Sequence, residues 1–190
     1  MTKFYTIGAL GLQGCVSPHK PHIEAMGDCF KTVKTKKDID EVDALILPGG
    51  ESTTMLRLIN TFNLKKNLET FFRCRPVWGI CAGAILMARD VTNPPQESFD
   101  LLNITAERNA YGRQLESIQQ VIDGYPVSYI RAPRLSCSDP EVTIHAWRGD
   151  DPVWLEKKNY MATTFHPEMT LQFPSPMHMK FREIIHEAIQ

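Results

Sequence analysis

Apolar and polar positions alternate along this chain in two rhythms. The stretch "KFYTIGALGL" is a mostly apolar, β-branched run ending at glycine, which predicts a first β-strand. "PHIEAMGDC" has the spacing of a short helix. "ALILPGG" is an apolar run stopped by Pro-Gly-Gly, the pattern of a buried strand entering a loop. "TTMLRLINTF" and "LKKNLETFFR" repeat apolar residues at helical spacing, with Asn60 to Asn63 between them. "VWGI" predicts a further short strand and "AGAILMARD" a helix. Beyond Asn93-Pro94-Pro95 the rhythm changes. "LNITAER", "YPVSYIRAP", "VTIHAW" and "YMATTF" predict strands with little helix between them, and "MHMKFREIIHEAI" predicts a closing helix. Strand–helix alternation followed by a strand-rich stretch predicts a three-layer α/β domain. Its central sheet is mostly parallel, with an added antiparallel portion.

At 190 residues the chain is long enough for one domain with a real core and short for two, so residues 1–190 are expected to form a single domain. A net charge of −1 gives no basic field for nucleic acid or anionic lipid. The N-terminal "MTKFYTIGALGLQGC" superficially imitates a lipoprotein signal. Its basic segment is one residue long, however, and Gln13 and glycines break the apolar run, so a strand is expected there and no membrane span. Five cysteines, with no C-x-x-C and no zinc spacing, suit free thiols in a reducing cytoplasm. Four of them, Cys15, Cys29, Cys74 and Cys137, are expected to be small buried hydrophobes.

Cys81 differs. In "VWGICAGAILMA" it stands between a predicted strand and a predicted helix, with Gly79 and Gly83 two residues to either side. This is the nucleophile-elbow pattern with cysteine in place of serine. A helix N-terminus favours the reactive thiolate, and the backbone N–H of Ala82 is a candidate oxyanion donor. A packed cysteine in a tight turn would give the same pattern. A nucleophile needs a base, and the base needs an orienting partner. "TTFHPEM" supplies His166 with Glu168 two residues on, on the same side of an extended segment. His19, His22, His178 and His186 lie in polar or helical segments where solvation is expected, and His145 alternates within a strand as a structural residue would. In "LPGGESTTM", Gly49 and Gly50 allow close backbone approach to a ligand, and Ser52, Thr53 and Thr54 are candidate helix caps.

Together, these stretches resemble the class I glutamine amidotransferases. "GALGLQG", "LPGGESTTM", "GICAGAILMA", "RNAYGRQLES", "YIRAP" and "ATTFHPEMT" occur in the order found in the glutaminase subunits of pyridoxal 5′-phosphate synthase, from about residue 6 to residue 171. The resemblance implies a flavodoxin-like fold and hydrolysis of L-glutamine to glutamate and ammonia without metal or organic cofactor. It also implies a partner synthase subunit, in a large hetero-oligomer, that receives the ammonia to build vitamin B6. Carried over by position, it implies Cys81, His166 and Glu168 as the catalytic triad. It implies Gly50, Glu51, Ser52, Arg108, Ile130 and Arg131 as the glutamine site, and Gly50 and Ala82 as the oxyanion hole. Arginine suits the substrate carboxylate through paired hydrogen bonds; a surface salt bridge is the alternative for Arg108 and Arg131. The glutaminase of another pathway, such as imidazole glycerol phosphate synthesis, and a catalytically silent regulatory subunit are the rival expectations.

Three stretches depart from the family pattern. Ile80 stands where threonine usually precedes the cysteine. "CVSPHKPHIEAMG" replaces an acidic-histidine helix start, and "LQFPSPMHMKF" lacks the usual Asp-x-Arg approach to the last helix. The last two bear on partner docking and leave the Cys, His and Glu untouched.

Overall fold

The computed structural model of the chain describes residues 3–111 and 118–190. Its central sheet has seven strands. Five are parallel, in the spatial order β2 (Cys29–Val33), β1 (Thr6–Leu10), β3 (Ala44–Leu47), β4 (Val77–Ile80) and β12 (Tyr160–Thr163). Antiparallel β11 (Asp151–Lys157) and β10 (Thr143–Arg148) extend the sheet past β12. The order 2-1-3-4 followed by a last parallel strand is that of the flavodoxin-like doubly wound sheet.

Successive residues of the central strands enter different cores. Leu45 and Leu47 join one cluster with Ile59 of α3 (Ser52–Thr61), Leu68 of α4 (Lys65–Phe72) and Leu86 of α5 (Ala82–Met87). The short α2 (Lys36–Asp40) adds Ile39 to the same side. Ala44 and Ile46 face the other cluster, with Ile23 of α1 (His19–Ala25) and Phe181 and Ile185 of α6 (Pro176–Ala188). The period of two and the continuous apolar run therefore have one cause: both faces of β3 are covered by helices. A second sheet, β5 (Ala88–Thr92), β6 (Leu102–Glu107) and β9 (Arg134–Cys137), and a hairpin, β7 (Ile118–Ile122) with β8 (Tyr125–Tyr129), form the added portion.

Several expectations need correction. The helix predicted over "AGAILMARD" stops at Met87, because Ala88 to Thr92 pair with β6. Residues 29–33, 118–122, 134–137 and 151–157 are strands that the apolar pattern does not single out. Cys29 and Cys74 are exposed and Cys15 and Cys137 half-exposed, so only Cys81 of the five is buried; all five are free thiols. Among the described residues no helix is long and apolar enough to cross a membrane.

Candidate active site

The site lies at the carboxyl ends of β1, β3, β4 and β12, where doubly wound sheets bind their ligands. β4 ends at Ile80, and the chain turns into α5 through Cys81, whose φ of 49° and ψ of −101° are left-handed. This conformation is forced by its neighbours. A Cβ on Gly79 would lie 2.5 Å from Met87 Sδ and 2.6 Å from the Gly83 carbonyl oxygen, and one on Gly83 would overlap the carbonyl of Leu47. The strand and helix pack too closely for any side chain at either position, so the turn between them is tight and Cys81 takes the strain. The Cys81 N–H donates to the Thr163 carbonyl at 2.8 Å, which holds the turn against β12.

β12 delivers the histidine. The His166 N–H donates to the Ser128 carbonyl of β8 at 2.8 Å, and Pro167 then starts a 3₁₀ turn over Pro167–Met169 that folds Glu168 back. His166 Nδ1 lies 2.8 Å from Glu168 Oε1. The other ring nitrogen is left to the thiol side, where His166 and Cys81 line one cleft. The thiol also lies 3.7 Å from the Ile130 carbonyl oxygen. Burial opposes a charge on His166, but the hydrogen bonds to Cys81 and Glu168 outweigh it and raise its pKa to about 10. Burial pushes the Glu168 carboxyl up, yet its hydrogen bond to His166 and its histidine neighbours hold it below the usual range.

In front of the thiol is a cleft of about 320 Å³. It is lined by nine of the ten residues singled out in the sequence: Gly50, Glu51, Ser52, Cys81, Ala82, Arg108, Ile130, Arg131 and His166. Glu168 lies behind His166, buried. The Glu51 backbone enters the site while its carboxylate serves the fold. Glu51 is the N-cap of α3, accepting from Thr53 N–H at 3.3 Å and Thr54 N–H at 2.6 Å. Ser52, Thr53 and Thr54 therefore do not cap the helix as expected. The Gly-Gly turn leaves Glu51 extended at the cap position, and its longer side chain bends back over the first turn. The Ser52 hydroxyl instead contacts Gln96 Oε1 at 2.9 Å. Arg108 pairs with Glu51 at 3.3 Å and donates to Thr53 Oγ1 at 3.1 Å. Exposed Arg131 has a φ of 48° and no ion pair among the described residues. Residues 112–117 of the "RNAYGRQLES" stretch lie outside the described residues.

Two residues missed in the sequence belong here. Gln13 Oε1 accepts the Glu51 N–H at 2.9 Å and packs on Gly50, while the Cys15 N–H donates to the Gly49 carbonyl at 2.8 Å. Together they fix the Gly49–Gly50 loop from the end of β1. The signal was available: glutamine between glycines directly after a buried strand.

A family model described as SNO glutamine amidotransferase family matches residues 9–182. This chain belongs to that family. Two curated relatives are the pyridoxal 5′-phosphate synthase subunits PdxT of Fervidobacterium nodosum, 40% identical over 171 residues, and of Solibacter usitatus, 41% identical over 176. Each alignment covers 86% of this chain, and 90% and 92% of the respective relatives. A crystal structure titled as a glutamine amidotransferase superposes with a TM-score of 0.84 at 32% identity, covering 95% of this chain and 98% of the other. The cleft is where the sequence motifs converge.

The remaining histidines also need correction. His19, His22 and His178 are not solvated but buried; His186 is exposed, with its Nδ1 2.7 Å from the Tyr5 hydroxyl oxygen. His145 pairs with Glu156 at 2.7 Å, the structural part expected of it.

Proposed function

We propose that the chain hydrolyses L-glutamine to glutamate and ammonia and hands the ammonia to a synthase subunit that makes pyridoxal 5′-phosphate. One observation carries the proposal. A cysteine held in a left-handed elbow shares one cleft with two arginines and with an imidazole whose Nδ1 is hydrogen-bonded to a buried carboxylate.

The chemistry follows from those positions. The Cys81 thiolate attacks the carboxamide carbon, forming a C–S bond and a tetrahedral oxyanion. The N–H groups of Ala82 and Gly50 are the donors proposed for that oxygen. His166 gives its proton to the departing nitrogen as the C–N bond breaks, and ammonia leaves a thioester. His166 then takes a proton from water, which attacks the thioester and frees glutamate and the thiol. Glu168 fixes the ring so that the same nitrogen serves both steps. Arg108 and Arg131 supply positive charge for the substrate's α-carboxylate, and the carbonyl of Ile130 is an acceptor at the same rim. Glu51 and Ser52 shape the cleft through their main chain.

The test is glutamate release from glutamine by the purified chain, alone and with a pyridoxal 5′-phosphate synthase catalytic subunit. Hydrolysis that rises on adding the synthase, with transfer of ¹⁵N from the glutamine amide into pyridoxal 5′-phosphate, is expected. No hydrolysis in either condition defeats the proposal.

A further inference from the structure

Three imidazoles are packed into the core behind Glu168. His19 and His22 stand on α1 and His178 on α6, at 0%, 0% and 1% exposure. Their hydrogen bonds form a chain that begins at Ser175, the N-cap of α6. Ser175 Oγ lies 2.7 Å from His178 Nδ1, and His178 Nε2 lies 2.9 Å from His19 Nδ1. The Ser175 N–H donates to His22 Nδ1 at 3.0 Å, and the His22 ring stacks on that of His178 at 4.2 Å. Four of the six ring nitrogens are thus taken up by one another and by Ser175, and no metal-holding cluster occurs among the described residues.

The far end of this chain is open. His19 Nε2, His22 Nε2 and Glu168 Oε2 are buried, and none has a hydrogen-bond partner within the protein. Each such atom carries a desolvation cost. The segment leading into α1 meets the turn that carries Glu168: Cys15 Sγ lies 3.5 Å from Met169 Sδ, and the chain returns from that turn to place the Ser175 N–H on His22 Nδ1.

The direction of the protons decides whether these atoms complement one another. His22 Nδ1 accepts from Ser175 N–H, so neutral His22 carries its proton on Nε2. Ser175 Oγ already accepts the His178 N–H at 3.2 Å as the helix cap. Its own hydrogen is free to donate to His178 Nδ1. His178 then donates through Nε2 to His19 Nδ1, and His19 carries its proton on Nε2. In the reverse direction the serine hydrogen has no acceptor in the chain and His19 offers a bare lone pair toward a carboxylate. Of the two arrangements, only the first lets the imidazole chain offer the unpartnered oxygen of Glu168 a donor.

We propose that His19 is a positioning residue for Glu168. Its Nε2–H, oriented by Ser175 through His178, is the donor to Glu168 Oε2, directly or across one water, while His22 steadies the Glu168 main chain. The proposal rests on the role given to Glu168 above. A carboxylate held at both oxygens cannot rotate away from His166, and outer partners of this kind are worth tenfold to hundredfold in comparable sites. The chain works only while all three rings are neutral, and burial provides for this: the pKa of His22 is lowered to about 4 and that of His178 well below the ordinary value. The other titratable groups facing Glu168 are His166, the Tyr125 hydroxyl and Cys15, whose thiol burial and Glu168 push up to about 12. The two stretches that depart from the family pattern, 15–27 and 171–181, contribute all four residues of the chain. They meet in the structure and complete one another.

The experiment reads the tautomers directly. Long-range ¹H–¹⁵N correlation spectra of the ¹⁵N-labelled protein at pH 7.5 should show His19, His22 and His178 all protonated at Nε2. A His19 protonated at Nδ1 overturns the proposal, whatever the enzyme does. Kinetics give the second arm. His19→Leu should lower kcat about tenfold or more, leave the KM for glutamine unchanged and move the acid limb of kcat/KM to higher pH. His19→Gln, whose amide can donate, should recover most of the loss. Equal loss in both variants, or an unmoved acid limb, makes His19 merely a packing residue and defeats the assignment. A wild-type chain that hydrolyses no glutamine defeats the preceding section instead and leaves the tautomers to be read.

Discussion

The His166 ring rests directly on the α-carbon of Gly49: a Cβ added there would overlap Cε1 and lie 2.9 Å from Nδ1. The loop after β3 therefore sets the position of the histidine delivered by β12. Gly49→Ala should push the imidazole off its line between Cys81 and Glu168. A displacement of about 1 Å costs on the order of a hundredfold in rate. Circular dichroism should stay unchanged while kcat falls by that amount; an unaltered kcat would show that the ring has room to spare.

Cys81 stores backbone strain, and the strain can be weighed. Its φ and ψ of 49° and −101° are the mirror image of an extended conformation, which glycine adopts freely and alanine does not. Alanine to glycine ordinarily destabilises by about 1 kcal/mol in regular structure. Here Cys81→Gly should melt at or above the temperature of Cys81→Ala, both being inactive. A Cys81→Gly variant weaker by the ordinary amount would mean the elbow is relaxed.

The exposure of the thiols separates two kinds of label. Iodoacetamide should modify exposed Cys29 and Cys74 readily. A glutamine analogue carrying an electrophile should instead add once, at buried Cys81, and not at Cys15. That thiol lines the same cleft, but burial and Glu168 push its pKa up to about 12 and so keep it protonated. Peptide mapping that finds the analogue on any of the other four cysteines would rule out Cys81 as the nucleophile.

Arg108 and Arg131 reach the cleft from opposite circumstances, one anchored by Glu51 and Thr53 and the other with no ion pair among the described residues. If both meet the substrate's charged end, Arg108→Ala and Arg131→Ala should each raise KM about tenfold or more with kcat less changed, the mark of lost uniform binding. Steady-state kinetics decide it. An unmoved KM in both variants returns the pair to surface ion-pairing.

Stability should fall on both sides of neutrality, for opposite reasons. His19, His22 and His178 have lowered pKa values in the fold, so the unfolded chain binds more protons as pH drops below about 6.5. Their contribution is full above that value and is lost as pH falls through the lowered values, about 4 for His22. His166 is raised to about 10, so its contribution is full below 6.5 and fades as pH climbs to 10. Melting temperature against pH should show both slopes, and His166→Asn should flatten the alkaline one alone. An alkaline slope that persists in His166→Asn would assign it to another group.

How much of this was legible in the sequence depends on what each residue packs against. β3 and β4 announce themselves because both faces are buried and glycine stops each run. β2, reading "CFKTV", lies at the sheet edge with Cys29 exposed and little apolar signal. Ala88 to Thr92 has the look of a helix end because its pairing with β6 is a long-range fact that local propensity does not contain. The cysteine, histidine and glutamate were readable as a set through the likeness of their motifs to the amidotransferases; the elbow alone left a packed cysteine open, and His-Pro-Glu alone occurs by chance. The three histidines behind them were not. Each looks polar and solvated alone, and only the meeting of α1 with α6 supplies the partners that let them be buried.

That meeting has a consequence for the order of events at the ribosome. Cys81, His166 and Glu168 are all synthesised before Ser175 and His178. A chain synthesised only as far as Glu168 holds the whole proposed triad, yet His19 lacks the ring proposed to orient it and the sheet lacks α6 on one face. On the proposal above, such a chain should hydrolyse glutamine about tenfold or more slower than the full one.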